Sequence, residues 1–176
     1  VYYYGDVIDT LGQLISSLNN ERTIVLCNCR EVTEDVSVRL KKYDITSTYY
    51  HGGLIQKERE RALMKFRNGS STVLICTDLG SRGLDIPDVN HIIHYQYPGS
   101  REAFIHRTGR TARMSANGNS YLLKGTNVQI PTYLDLPDSK LILKQQNKTG
   151  TITSEDRRLG KECKDRWATY HAKKKK

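Results

Sequence analysis

Two short apolar runs are the strongest indication of how this chain folds. Residues 23–28 read TIVLCN and residues 71–76 read STVLIC, and both are rich in β-branched side chains. A short run that is apolar on both of its faces is typical of a strand buried between two layers of helices, as in a parallel sheet. We therefore predict two buried strands of a parallel sheet at these positions.

The segments around these runs predict further helices and strands. Apolar residues recur at helical spacing over 6–19, 33–43 and 55–67, and a short helix is predicted from Arg101. Further β-rich runs cover 45–51, 89–95 and 120–123. Because strands and helices alternate along the chain, we predict an α/β domain with right-handed crossovers and helices on both faces of its sheet.

The periodicity weakens after about residue 126. Residues 126–160 are rich in Thr, Asn, Gln, Lys and Pro, and we find no internal repeat. A chain of 176 residues has the length of about one domain. We predict one domain over residues 1–126 and an extension over residues 127–176.

The positive charge of the chain is unevenly distributed. The sequence has 28 Lys and Arg against 19 Asp and Glu, a net charge of +9. Residues 157–176 hold nine basic and two acidic residues, so this tail carries +7 and the rest of the chain only +2. An excess of positive charge favours a nucleic acid, an acidic lipid or an acidic protein as partner, and composition does not choose among them. Any anion site in the domain itself must be local.

The sequence also bears on location. No apolar run approaches the length of a transmembrane helix, and the N-terminus has neither a signal segment nor an initiator Met. The four cysteines lack the paired spacing of a metal site, so we expect free, reduced thiols. These features predict a cytoplasmic chain cut from a larger protein, with no membrane contact and no metal site of its own.

Residues 106–113 form the densest group of functional side chains. They read HRTGRTAR, in which Arg110 and Arg113 are three residues apart and project from one face of a helix. Two adjacent guanidinium groups, with Gly109 allowing close approach to the backbone, favour a phosphate or polyphosphate site. A solvated basic helix or a surface salt-bridge network explains this arrangement equally well.

A second group begins where the apolar run 71–76 stops. Residues 77–87 read TDLGSRGLDIP, with two glycines, two carboxylates and an arginine. Loops at the carboxyl ends of parallel strands commonly bind ligands. The alternative is purely structural, with Asp78 capping a short helix and Pro87 stopping it.

These segments together resemble the C-terminal RecA-like domain of DEAD-box RNA helicases. Residues 77–86 resemble the family's motif V, and residues 23–30 resemble its motif IV, with Asn28 at the usual place. The family's Gln-x-x-Arg element is met by Gln56 and Arg59, shortly after His51 and Gly52. The fixed positions of motif VI, His-Arg-x-Gly-Arg-x-x-Arg, are all matched: His106, Arg107, Gly109, Arg110 and Arg113. The likeness covers about residues 1–125, and His106 favours the DEAD-box branch over the DEAH branch.

The resemblance implies a RecA-like three-layer domain with a mostly parallel, twisted sheet. It also implies an ATP-dependent RNA helicase, with ATP and Mg²⁺ as cofactors. Arg110 and Arg113 would be arginine fingers on the γ-phosphate, Asp85 would bind the ATP ribose, and His106 would couple the phosphate end to the opposing domain. The RNA backbone would be gripped, or its surface supported, by five residues: Asn28, Gln56, Arg59, Thr77 and Gly83.

Half of the expected ATP site is missing from the sequence. There is no Gly-x-x-x-x-Gly-Lys-Ser/Thr loop and no Asp-Glu-Ala-Asp, and the family carries both in its N-terminal RecA-like domain. That domain would be the partner of this chain, would hold most of the Mg²⁺ contacts, and would be needed for any ATPase activity. The chain departs from the family's common residues at five positions: Gly80, His94, Gln96, Thr108 and Ala112.

The tail and the function each leave alternatives. Residues 167–172 resemble one amphipathic strand followed by four lysines, which suits either the start of an accessory RNA-binding domain or a flexible basic tail. The whole protein is predicted to be an ATP-driven RNA helicase. The rival interpretations are a non-catalytic RNA-binding module with a helicase fold and a DNA-acting superfamily 2 translocase. The sequence predicts no oligomeric state.

Overall fold

The computed structural model describes residues 2–3, 7–78, 86, 89–109, 118–124, 129–134 and 143–144. The strands among them are β1 Tyr2–Tyr3, β2 Thr23–Cys27, β3 Ser47–Tyr50, β4 Val73–Thr77, β5 His91–His94, β6 Asn119–Leu122 and β7 Leu143–Lys144. The helices are α1 Val7–Ser16, α2 Arg30–Leu40, α3 Gln56–Arg67 and α4 Arg101–Thr108, with a 3₁₀ turn at Lys41–Tyr43.

Five strands form one parallel sheet in the order β3-β4-β2-β5-β6. Strand β2 lies at the centre, where Thr23 is in register with Val73 of β4 and with His91 of β5. All residues of β2 and β4 are buried, as their apolar sequences predict. A separate parallel pair joins β1 to β7. The prediction of a parallel α/β sheet is confirmed.

Helices cover both faces of this sheet. Successive side chains in a strand point to opposite faces, so each strand contributes to two cores. One core holds Val25 and Ile75 with residues of α1 and α2, among them Leu11 and Val36. The other core is built from Ile24, Leu74 and Ile92 around α3: its buried residues include Ala62 and Phe66. The fold is therefore the predicted three-layer α/β arrangement.

Several predicted element ends are wrong by a few residues. Helix α1 ends at Ser16 rather than at residue 19, because Asn19 and Asn20 take positive φ angles of 50° and 60° that a right-handed helix does not allow. Helix α2 begins at Arg30 rather than at Thr33, whose hydroxyl donates to the Arg30 carbonyl in the first turn.

The cysteines differ from the prediction at one position. Cys27 and Cys76 are free and buried, and burial raises the pKa of the Cys27 thiol well above its usual range. Cys29 is disulfide-bonded, so the prediction of free thiols is wrong there. It lies just beyond the end of β2 and is only half-buried, so the core does not enclose its sulfur as it encloses that of Cys27.

Part of the predicted extension contacts the domain. The Tyr133 hydroxyl donates to the Pro98 carbonyl at 2.6 Å, and Leu134 is buried. The basic tail over 157–176 and the predicted strand at 167–172 lie outside the described residues. The boundary at residue 126 stays a prediction. Within the described part of the chain, no helix is both long and apolar enough to cross a membrane.

Candidate functional site

Polar side chains converge where three neighbouring strands of the sheet end. Asn28 follows β2, Asp78 follows β4, and Gln96 follows β5 after one intervening residue. Because these strands are parallel and adjacent, their carboxyl ends lie at the same edge of the sheet. Asn28, Asp78 and Gln96 all bond to Arg107 of helix α4.

Arg107 is the centre of this cluster. Only 2% of the residue is exposed. Its Nε and Nη2 atoms donate to the two carboxylate oxygens of Asp78 at 2.5 and 2.7 Å, a paired geometry that suits the guanidinium fork. Nη2 also donates to Asn28 Oδ1 at 2.8 Å, and Nη1 donates to the Gln96 carbonyl at 2.9 Å. The side chain thus fastens α4 to three strand ends.

Asn28 and Gln96 form a second layer around this arginine. The Asn28 backbone N–H donates to Gln96 Oε1 at 2.8 Å, and Asn28 Nδ2 donates to the Tyr97 carbonyl at 2.9 Å. Both polar atoms of the Asn28 side chain are therefore engaged within the chain. Gln96 stands where the family commonly has an acid. Its amide oxygen keeps the acceptor and lacks the negative charge.

Helix α4 begins and ends with defined contacts. The Ser100 hydroxyl accepts from the Ala103 N–H at 3.2 Å, which is a typical N-cap. At the other end, the Gly109 N–H donates to the Ile105 carbonyl at 2.9 Å. His106 is exposed beside the buried Arg107, so the two neighbours have different environments. The structure does not bring His106 into the Arg107 cluster.

His94 supports α4 from inside the domain. It is fully buried, its Nε2 lies 3.1 Å from Ser120 Oγ, and its ring centroid lies 5.0 Å from that of Phe104 in α4. Burial, helped by the charge of Arg107, lowers the pKa of His94 to about 3. The imidazole is therefore neutral at neutral pH, and we assign it a packing role.

The predicted Gln-x-x-Arg pair lies in the first turn of α3. Gln56 is exposed, and its Nε2 donates to Glu60 Oε1 at 2.7 Å. Arg59 is half-buried, and its Nε is enclosed with no hydrogen-bond partner among the described residues. Arg59 therefore keeps a donor that these residues do not use.

Four predicted site residues lie outside the described residues: Gly83, Asp85, Arg110 and Arg113. Of the others, Thr77 ends β4 in register with Cys27 and is 9% exposed. The sequence did not reveal that Asp78 and Gln96 hold Arg107. The position of Asp78 directly after a buried strand could have indicated this ion pair, because an acid at such a place needs a cation nearby. No group of three or more His, Cys, Asp or Glu able to hold a metal occurs among the described side chains.

Comparison with known proteins gives a consistent result. The model of the helicase conserved C-terminal domain matches residues 6–115. The ATP-dependent RNA helicase fal1 of Schizosaccharomyces pombe is 38% identical over 110 residues, which are 62% of this chain and 28% of that protein. The chain thus spans little more than a quarter of this curated relative.

Two solved structures extend the likeness to the fold. The E. coli DEAD-box protein SrmB, bound to regulator of ribonuclease activity A, is 32% identical with a TM-score of 0.66, covering 70% of this chain and 75% of that one. S. cerevisiae Dbp5, bound to RNA and ADP BeF3, is 28% identical with a TM-score of 0.64. This likeness covers 70% of this chain and 34% of the Dbp5 chain.

The family model covers more than half of the chain, and it includes both the strand ends and the helix that Arg107 joins. The likeness to SrmB covers three quarters of that solved chain. The parallel sheet agrees with a RecA-like architecture. The chain therefore belongs to the helicase conserved C-terminal domain family, as the C-terminal RecA-like domain of a DEAD-box RNA helicase.

Proposed function

We propose that this domain supplies one half of the ATP site and part of the RNA-backbone surface of an ATP-dependent RNA helicase. The supporting observation is the cluster of Arg107 with Asp78 and Asn28. It fastens the last turn of α4 to the strand ends, and Arg110 follows that turn in the sequence after Thr108 and Gly109. A fixed starting point is what a pair of arginine fingers requires, because their effect depends on placement.

On the ATP side, Arg110 and Arg113 neutralise charge on the γ-phosphate in the transition state. Groups of this kind contribute about 10³–10⁵ in rate. Asp85 accepts a hydrogen bond from the ribose, and the exposed His106 contacts the opposing domain. Mg²⁺, held mainly by the N-terminal RecA-like domain, supplies positive charge to the phosphates when it is bound.

On the RNA side, Gln56, Arg59 and Gly83 contact the backbone of one strand. The position of Arg59 supports this assignment, since it is only half-buried and lies in the same first turn of α3 as the exposed Gln56. Asn28 is exposed but both polar atoms of its side chain bond within the chain, and Thr77 is nearly buried, so these two residues support the surface rather than grip the RNA. Backbone contacts carry no sequence information, which agrees with the near-neutral charge of the domain.

The two RecA-like domains close together when ATP and RNA bind. Closure brings Arg110 and Arg113 to the nucleotide and bends one RNA strand, which disrupts a short duplex locally. Hydrolysis then resets the domains. This chain alone has no phosphate loop and no Asp-Glu-Ala-Asp, so it does not turn over ATP without its partner domain. The cytoplasmic location expected from the sequence stays a prediction.

ATP turnover measurements test this proposal. The whole protein should hydrolyse ATP faster with single-stranded RNA than with DNA of the same sequence, and the 176-residue chain alone should show no turnover. Circular dichroism confirms that the isolated chain is folded in that assay. Turnover by the isolated chain contradicts the half-site proposal. Equal stimulation by DNA favours a translocase that acts on DNA, and no turnover in either state favours a non-catalytic RNA-binding module.

A further inference from the structure

We infer that His51 is a positioning residue that fixes where Gln56 and Arg59 stand. The inference rests on the proposed role of those two residues in RNA binding. His51 follows directly after β3, at the same edge of the sheet as the Arg107 cluster, and only 3% of it is exposed. The proposed role of this domain in ATP binding explains neither the burial of His51 nor its contacts.

The imidazole of His51 has one hydrogen bond, one stacked ring and one carboxylate close to it. Its Nδ1 accepts a hydrogen bond from the Gly53 N–H at 3.1 Å. Its ring stacks on Tyr49, with centroids 5.8 Å apart and planes 9° apart. Its Nε2 lies 2.9 Å from Glu34 Oε1 of α2, at ion-pair distance but without hydrogen-bond geometry. The side chain therefore joins the turn after β3 to a neighbouring helix.

The turn that follows has one well-defined backbone path. Three consecutive N–H groups are satisfied: Gly53 donates to His51 Nδ1, Leu54 to the His51 carbonyl at 3.3 Å, and Ile55 to Glu58 Oε2 at 3.2 Å. Two of these three bonds end on His51. The start of α3 at Gln56 thus depends directly on that residue.

Gly53 allows the turn to close tightly. A Cβ atom at this position would lie 3.2 Å from His51 Nδ1 and 3.3 Å from Arg30 Nη1, closer than side chains normally approach. The glycine and the histidine therefore form one close contact, here called the clasp, and a Cβ atom at residue 53 would require His51 or Arg30 to move by a few tenths of an ångström.

Arg59 is connected to this clasp through the backbone. Its N–H donates to the Ile55 carbonyl at 3.1 Å, so its position follows that of Ile55. Its enclosed Nε has no hydrogen-bond partner among the described residues, so this atom does not anchor the guanidinium. A shift of the turn should therefore be transmitted to the guanidinium, and binding groups are sensitive to small displacements of this kind.

The test measures RNA-stimulated ATPase activity in the whole protein. His51→Phe keeps an aromatic ring on Tyr49 and removes the Nδ1 acceptor. We expect the RNA concentration for half-maximal stimulation to rise about five- to tenfold, the effect of one hydrogen bond to RNA lost when Arg59 is displaced, with turnover at saturating RNA retained. His51→Asn should restore much of the affinity, because an Asn side chain accepts from the backbone N–H two residues on.

His91 provides a matched control at the other end of the parallel strands, where they begin. It is also buried, at 5% exposed, and its Nε2 also lies close to a carboxylate, 2.8 Å from Glu21 Oε2, but it begins β5 rather than following a strand. His91→Phe should lower the melting temperature and leave the half-saturating RNA concentration unchanged. If His51→Phe does not fold, Gly53→Ala alters the same clasp and is measured in its place.

Combined variants separate positioning from general destabilisation. His51→Phe should add little to the joint effect of Gln56→Ala and Arg59→Ala, since His51 acts through those two residues. Additive effects, or an unchanged RNA requirement in His51→Phe, overturn the inference. If Arg59→Ala itself leaves the RNA requirement unchanged, the proposed RNA-binding role of Arg59 fails, and the inference fails with it. An effect of Arg59→Ala without one of His51→Phe overturns the inference alone.

Discussion

Arg107 in helix α4 holds both carboxylate oxygens of Asp78, the residue that follows strand β4, at 2.5 and 2.7 Å. The two residues are 29 positions apart in the sequence, and the arginine is almost completely buried. A buried cation of this kind is tolerated only when its partners are in place. The pair therefore fixes the relation between the helix of motif VI and the edge of the sheet where motif V begins.

Arg107→Ala should destabilise the domain strongly. Removing one partner of a buried ion pair costs about 3–5 kcal/mol, and we expect the lower end of this range because the Asp78 side chain that is left behind is 32% exposed and can be hydrated. The free energy of unfolding, measured by urea denaturation, checks this value. Arg39 is the matched control, since it forms a more exposed pair with Asp35 on α2 at 3.6 Å. Arg39→Ala should cost about 0–1 kcal/mol. An equal decrease in the free energy of unfolding for the two variants would show that the Arg107–Asp78 pair contributes no more to stability than an exposed ion pair.

The sequence predicts the sheet better than it predicts the cluster. The runs TIVLCN and STVLIC are largely apolar, so burial on both faces determines their structure locally. The role of Arg107 depends on Asp78 and Gln96, which are distant in sequence, and no spacing rule joins them. Sequence spacing groups Arg107 with Arg110 in a basic motif, yet only 2% of Arg107 is exposed in the structure. The exposed His106 beside it shows how neighbouring residues in one motif serve different purposes.

Gly12→Ala should destabilise the packing of α1 against the 3₁₀ turn. A Cβ atom on Gly12 would lie 2.5 Å from Cδ2 of the Tyr43 ring. The Tyr43 hydroxyl also donates to Asp9, which restrains the ring. We expect a loss of about 1–3 kcal/mol from overpacking, measured by thermal or urea unfolding. Gly52→Ala is the control, because its added Cβ would meet no atom within 4 Å. A neutral Gly12→Ala variant would mean that Tyr43 moves freely.

His94 should make the domain less stable in acid. The pKa of His94 is lowered from 6.5 to about 3, so the unfolded chain binds a proton that the folded chain excludes. The contribution of neutral His94 to the free energy of unfolding is complete above about pH 6.5 and declines as the pH falls towards 3. At pH 5 the free energy of unfolding should be lower by about 2 kcal/mol than at neutral pH. His94→Asn does not titrate, so its free energy of unfolding should change less between pH 7 and pH 5. Parallel pH profiles for the two proteins would contradict the buried, neutral state.

The basic tail should contribute to RNA binding through charge. Residues 157–176 carry a net charge of +7, which is most of the +9 net charge of the chain. Deleting them should flatten the dependence of log affinity on log salt, by about 0.7 for every phosphate of single-stranded RNA that the tail neutralises. Fluorescence anisotropy over a series of salt concentrations measures this slope. An unchanged slope would show that the tail does not bind RNA.

The most direct test of the account is the ATP turnover of Arg110→Ala in the whole protein. Arg110 is proposed to act only when the two RecA-like domains close on ATP. We predict that RNA-stimulated turnover falls by about 10³-fold or more, as for other arginine fingers, while RNA binding without nucleotide and the melting temperature are retained. Arg39→Ala, on the α2 surface, should keep full turnover. Unchanged turnover in Arg110→Ala would contradict the proposal that this domain completes the ATP site.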